Sequence, residues 1–559
     1  MHKLTPIAPG MTKSAEQPFS FEPIHGPIVG ECTETSAVIW YRDELGLQRE
    51  PTIAFWPAHE SSETGAETAS TVSISVNPDA DYTSQTTLTN LTPNTRYNYK
   101  IGDRVGSFKT PGSASCSFIF GSCIGGQGYG RNVEGSPDGG GFPIFEKMLR
   151  LKPDFWLLNG DSIYADDSIA EESQNPWNKG AKFVTQNGVR IMPAVSKLEG
   201  FRGRYKYHLE DPAYSEFLRN CPTYTNWDDH EIVNDFGQKL LREAGFGQLF
   251  DEGRQAFLEY WPRIAPPDEP NRIYNKFTWG PHVEVFILDS RSYRDVHTRK
   301  GDDTTPTMQY IMGSEQQAWL LENLLTSKHT WKIIVTSVPL SYPTGWPTPE
   351  KDGYDGWSNG KNGLPGGPEL ELWTVFEQIH NEGVKNVVFL AGDVHFPYAI
   401  SYDPFRTGNP LFYEFGASPF HSLCLSPPEE GPDDAFNPTV LFAQGSFGSK
   451  SFNFGQVRVS ENGNFSFNIR DRGLSSMYYL ELIPAGLGHE KLSNKMGGED
   501  GGKAAAINAH LSLTGEVNMV NSRTISTEGP DSDPMKRRRT LTANGPDSDP
   551  MKRRPNGSA

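Results

Sequence analysis

The stretch Asn159–Asp167, NGDSIYADD, directly follows the apolar run Phe155–Leu158. Four apolar residues bounded by Asn159 and Gly160 fit a strand buried on both faces, with a polar cluster emerging at its carboxyl end. In an α/β sheet that is where ligands bind. Asp161 and Tyr164 therefore stand as candidate site residues.

The same arrangement recurs along the chain. FIFGSC ends at Cys123, NVVFLAGDVH delivers Asp393 and His395, and NWDDHEIVND holds Asp228, Asp229, His230, Glu231, Asn234 and Asp235. Amphipathic segments such as PIFEKMLRL, EQQAWLLENLLTS and LWTVFEQIHNEG alternate with these strands. Continuous apolar strands separated by helices predict a layered α/β domain, assigned to residues 113–485. Upstream, SAVIWYR, TIAFW, TVSISV, QTTLTNL and RYNYKIG are short alternating runs punctuated by Gly, Pro, Asn and Asp. They predict a small antiparallel β-sandwich of fibronectin III type over residues 21–112. Residues 1–20 and the polar tail 486–559, in which GPDSDPMKRR occurs at Gly529 and again at Gly545, are expected to be disordered. KRRR at Lys536 reads as a solvated charge run in preference to a nuclear address or nucleic-acid patch.

Composition narrows the function. A chain of 559 residues, 36% hydrophobic and 12% aromatic, can bury a sizeable core. Its 51 basic and 69 acidic residues give a net charge of −18, which opposes general binding to phosphate backbones or anionic membranes. An acidic substrate would need a local device such as metal ions. No run approaches the ~18 apolar residues of a membrane span. The amino terminus has neither an apolar signal stretch nor a twin-arginine pair, so the chain as written is expected inside the cell. Five cysteines without CxxC spacing do not suggest a disulfide framework. A monomer acting on a small substrate is the expectation.

The acidic clusters would repel one another and raise each other's pKa values if they converged without cations. Cys123 thiolate, Tyr164 phenolate and His395 imidazole favour a transition ion such as iron or zinc. Asp229, Asp393 and a side chain from Asn234 or Asp228 offer oxygen alone, which suits Ca²⁺, Mg²⁺ or Mn²⁺. Asp161 can place one carboxylate oxygen on each ion and bridge them.

GSC, GDSIY, WDDHE and AGDVH, in this order, resemble the alkaline phosphatase D family of calcineurin-like metallophosphatases. TSAVIWYR, LTPNTRYNYKIG, LDSRSYR, WLLENLLTSKHTWKIIVTSVPL and DGYDGW add to the likeness, which covers residues 21 to 480. The resemblance implies Fe³⁺ with one or two Ca²⁺, with Cys123, Asp161, Tyr164, Asp229, Asp393 and His395 as ligands and His230 as the reactive histidine. It also implies relatives that are commonly exported, which leaves localisation open. TSVPLSYP supplies no histidine where such enzymes carry one, so Asn234 or Asp228 is expected to complete the oxygen-rich site.

The activity implied is hydrolysis of phosphate mono- or diesters by a metal-bound hydroxide, with Asp161 and His230 as catalytic residues and His230 as general acid or oxyanion stabiliser. Arg291 has two readings: a guanidinium fork on phosphate oxygen, or a structural ion pair. Tyr129 and Arg131 read as pocket wall or plain loop. The rival functions are a nuclease- or phospholipase D-like diesterase and a binding protein with a vestigial metal site. Nucleic acid enters only as a diester substrate or through the basic tail.

Overall fold

Phe155–Asn159 is a strand buried along its whole length, paired in parallel with Cys116–Gly121 on one side and Thr223–Asn226 on the other. The computed structural model describes residues 22–58, 69–126, 129–131, 140–166, 184–186, 189–191, 195, 197–295, 308–345, 355–358 and 363–485. The expectations for residues 1–20, the repeated tail and KRRR lie outside them.

Three antiparallel strands, Asn453–Val459, Phe465–Asp471 and Ser476–Leu482, extend this sheet beyond Cys116–Gly121 to six strands. They are absent from the run of strands expected from sequence. A second sheet has seven strands in the order Asn275–Trp279, Val283–Ile287, Trp331–Val335, Val387–Ala391, Phe412–Gly416, Tyr398–Tyr402 and Pro438–Ala443. Its central pairs are parallel and its margins antiparallel.

The two sheets face each other across one core. Phe118, Phe120, Phe155 and Leu157 of the first pack with Val285, Ile333, Val335 and Leu390 of the second. The opposite faces are buried too. Ile119, Trp156 and Leu158 meet the helices Pro143–Arg150, Leu198–Leu209 and Gly247–Tyr260. Phe286, Ile334 and Phe389 meet Gly313–Thr326 and Pro368–Asn381. Burial on both faces is why the central strands read as unbroken apolar runs. The result is the expected layered α/β sandwich, with helices outside two stacked sheets. Asn159 stitches the sheets at their carboxyl ends, its Nδ2 donating to Thr336 O at 2.7 Å and Leu390 O at 3.3 Å.

The amino-terminal unit is an antiparallel sandwich of a three-stranded and a four-stranded sheet. Ile24–Cys32 and Arg104–Lys109 complete it beyond the runs read from sequence. Polar contacts join it to the α/β layers. Asp81 receives Arg42 Nη2 at 2.9 Å, Lys206 Nζ at 3.1 Å and the Tyr260 hydroxyl. Trp40 Nε1 donates to Glu259 O at 2.7 Å, and Tyr224 OH to Cys32 O at 2.7 Å. All five cysteines are buried, and none forms a disulfide. Among the described residues no helix is long and apolar enough to cross a membrane.

Candidate metal centre

The strand ends converge because their turns are tight. Gly160, at φ +86°, follows Asn159, and a Cβ there would stand 2.4 Å from Asp228 Cβ. Only glycine lets the two strand ends approach this closely. Beyond these turns Cys123, Asp161, Asp393 and His395 all adopt left-handed backbone, with φ of 69°, 53°, 65° and 56°. Non-glycine residues held there cost on the order of 1–3 kcal/mol each, and such strain gathers at functional sites.

Cys123, Tyr164 and His395 surround one oxygen of Asp161. Asp161 Oδ2 lies 3.3 Å from Cys123 Sγ and 3.2 Å from Tyr164 OH, and Tyr164 OH lies 2.8 Å from His395 Nε2. His395 Nδ1 is bonded to Leu423 O at 2.6 Å, which assigns its proton to Nδ1 and leaves the Nε2 lone pair facing the cluster. The other oxygen, Asp161 Oδ1, accepts His230 N at 3.2 Å, and Asp161, Asp229 and His230 each offer one donor atom within 4.8 Å of the others.

Asp228, Asp229 and Asp393 form the second donor set, with one oxygen from each within 4.8 Å of the others. Asp229 Oδ2 accepts Asp235 N at 2.7 Å, and Asp393 Oδ2 accepts Thr344 Oγ1 at 2.6 Å. Asp228 Oδ2 and Asp229 Oδ1 are buried with no hydrogen-bond donor. Buried carboxylate oxygens are costly unless paired, so these two orphans fit a cation. Asp235 and Asp355 form a further acidic trio with Asp229.

The electrostatics agree with that fit. Burial, then the neighbouring acids, pushes Asp161 well above the carboxylate range, although His230 opposes this. Burial and the Asp161 charge raise Cys123 and Tyr164. Burial and the Asp229 charge carry Asp393 up to about 7. Burial also raises Asp228, against the pull of Arg291. Burial and then His230 lower His395 to about 3, so its imidazole is a neutral donor. The carboxylates, the thiol and the phenol are destabilised in their anionic forms until positive charge arrives, and with the neutral imidazole the donor set suits a pair of metal ions.

His230 is also gathered here. Its Nδ1 lies 2.7 Å from Asp166 Oδ1 and its ring stacks on Tyr164 at 4.1 Å. Burial alone would lower its pKa, but Asp166, Asp229 and Asp161 together raise it well above the usual imidazole value.

Arg291 resolves to the ion pair. Its Nη1 and Nη2 fork onto Asp355 at 2.6 Å each, Nε reaches Asp228 Oδ1 at 2.7 Å, Nη2 reaches the same oxygen at 2.6 Å, and Nη1 also meets Phe236 O at 3.2 Å. All five N–H groups are spent, so the phosphate-clamp reading of Arg291 is corrected. Asn234 gives its main-chain N–H to Asp166 Oδ2 at 2.7 Å. Of the two residues weighed for the last oxygen ligand, Asp228 belongs to the convergent trio. Arg131 is held by Glu210 at 2.7 Å, and Tyr129 packs edge-on against His421 and Phe452.

Several supports were not foreseen. Glu231 accepts Asp161 N, Ser162 N, Ser162 Oγ and Asp228 N at 2.6–3.1 Å and so braces both strand ends. Asp166 lies inside the opening NGDSIYADD, five residues after Asp161, which was the available signal. Thr344, Asp355 and Ser418 come from loops without periodic pattern.

Residues 118–475 match the family description of PhoD-like phosphatases, and residues 23–119 match the purple acid phosphatase N-terminal domain. Alkaline phosphatase D of Bacillus subtilis (strain 168) is 27% identical over 326 residues, which cover 54% of this chain and 51% of that protein. The chain thus spans about half the length of the curated relative it matches. A solved structure described as "Structure of PhoD" superposes with a TM-score of 0.60 at 21% identity, covering 80% of this chain and 86% of that one, and so shares the fold. With the family match extending over more than half of its length, the chain belongs to the PhoD-like phosphatases.

Proposed function

We propose that this protein hydrolyses phosphate esters at the centre built around Asp161. The observation that carries the reading is the division of the Asp161 carboxylate. Oδ2 faces Cys123 and Tyr164, whereas Oδ1 accepts the main-chain N–H of His230, and Asp161 shares a second donor cluster with His230 and Asp229.

Cys123, Tyr164, His395 and Asp161 would hold the softer ion, Fe³⁺, with Zn²⁺ as the alternative. Asp161, Asp228, Asp229 and Asp393 would hold the harder ion, Ca²⁺, with Mg²⁺ or Mn²⁺ as alternatives. Bound there, such a pair lowers the pKa of water and offsets charge that develops on phosphorus. His230 acts on the departing group. Asp166 fixes Nδ1 and the stacked Tyr164 ring fixes the plane, so Nε2 is the nitrogen left to donate. Asp166 lies outside the donor groups gathered around Asp161, and its bond to Nδ1 orients His230 for proton donation. Water attacks phosphorus in line, the phosphorus–alkoxide bond breaks, and the Nε2 proton passes to the alkoxide oxygen.

Arg291 and Arg294 take no part in phosphate binding on this account. Arg294 Nη1 and Nη2 are bonded to Asp355, and its Nε to Ser290 O at 2.8 Å. Monoester and diester substrates therefore remain equal candidates for the ligands. Steady-state assay of a phosphomonoester and a matched diester, after metal stripping and after reloading, separates them. Turnover that returns with metal on either substrate supports the proposal. Metal binding without turnover on both would move the scaffold reading to the front.

A further inference from the structure

We propose that Ser122 and Ser418 are positioning residues whose hydroxyls set how strongly the Cys123 sulfur donates to the softer ion. The inference rests on the metal-centre reading above.

Two hydroxyls converge on one buried sulfur. Ser122 Oγ lies 3.0 Å from Cys123 Sγ, and Ser418 Oγ donates to it at 3.1 Å. Ser122 Oγ accepts the main-chain N–H of Asp393 at 3.3 Å, which leaves its own proton for the sulfur. Cys123 and Ser418 are 0% exposed and Ser122 is 1% exposed, so bulk water does not compete. Ser418 is itself fixed, because its carbonyl accepts Asn453 Nδ2 at 2.7 Å. Space for the Ser122 hydroxyl is made by Gly392, where a Cβ would stand 2.4 Å from Oγ.

A neutral thiol is a weak acceptor and would not repay two buried donors. A thiolate takes charge-assisted bonds, and those bonds stabilise its lone pairs. Hydrogen bonds to a ligating sulfur tune the potential of the ion it holds. By the same physics they raise the energy needed to move an electron from sulfur to metal. Through Asp393 N, Ser122 also ties the sulfur pocket to the oxygen-rich donor set.

The test uses the full chain loaded with Co²⁺, whose sulfur-to-metal charge-transfer band in the near ultraviolet reports the Cys123 sulfur without an activity assay. Ser122→Ala and Ser418→Ala should each move the band to longer wavelength, and the double variant further. Ser418→Thr, which keeps the hydroxyl, should restore the wild-type position. Each alanine variant should also weaken Co²⁺ binding by about 10–100-fold. The two serines are scored independently, so misfolding of one variant leaves the other to decide. Alanine variants that keep an unshifted band would overturn the inference. A wild-type protein that binds Co²⁺ with no sulfur band would instead overturn the metal-centre reading beneath it.

Discussion

His230 Nδ1 stands 2.7 Å from Asp166 Oδ1, and both belong to loops that leave the carboxyl ends of neighbouring parallel strands. Nδ1 is thereby committed, and the nitrogen that can serve a substrate is Nε2.

Asp166→Asn should lower kcat by about 10–100-fold. An alkyl ester should suffer more than an aryl ester, because the poorer leaving group depends more on the proton. The pH profile should shift as well. The acid neighbours hold His230 above its usual 6.5 despite burial, so its proton is lost only on the alkaline side. Removing Asp166 lowers that pKa, and the alkaline limb should move to lower pH. Equal losses on both esters with an unmoved limb would contradict the general-acid role.

Arg291 and Asp355 should behave as structure. Breaking a buried ion pair costs about 3–5 kcal/mol because the remaining charge is stranded. Asp355→Ala would strand Arg294 and leave Arg291 with Asp228 as its carboxylate partner, and a loss of that size is expected in denaturant unfolding of the metal-free protein. Arg291→Lys should also destabilise, since an ammonium cannot fork onto Asp355 while reaching Asp228. A variant of Arg291 with unchanged stability and a raised KM would restore the phosphate-clamp reading.

Asp81 should make the docking of the amino-terminal sandwich acid-sensitive. Burial raises its pKa, but Arg42, Lys206 and Tyr260 outweigh this and hold it at about 2, against 3.8 for the ordinary group. The folded value is the lower one, so the stabilisation is complete above about pH 4 and disappears as pH falls toward 2. Thermal unfolding of the wild type should lose stability across that window, whereas Asp81→Asn should be less stable above it and less pH-dependent within it. Parallel curves for the two proteins would refute the assignment.

The layered α/β fold was legible because strands buried on both faces leave unbroken apolar runs, and Phe155–Leu158 or Val387–Leu390 cannot hide that. The donor residues were legible because they sit directly after such runs, where chain direction alone delivers them to the crevice. What surrounds them was not. Asp355 reaches Arg291 and Ser418 reaches Cys123 across separations of 64 and 295 residues, which only tertiary closure creates. Arg291 was ambiguous for the same reason: its fork fits phosphate and carboxylate equally, and its partner Asp355, though inside the DGYDGW stretch, comes from a loop without periodicity to place it. The strand Asn453–Val459 pairs back to Cys116–Gly121, a connection no local signal announces.

Most depends on the proposed role of Asp161, which would hold both ions needed for phosphoester hydrolysis. Its most direct test is elemental analysis of reconstituted wild type and Asp161→Asn, with turnover measured on the same samples. The account predicts two ions per wild-type chain, loss of affinity for both in the variant, and turnover reduced by about 100-fold or more. A variant with full metal content and full turnover would contradict it.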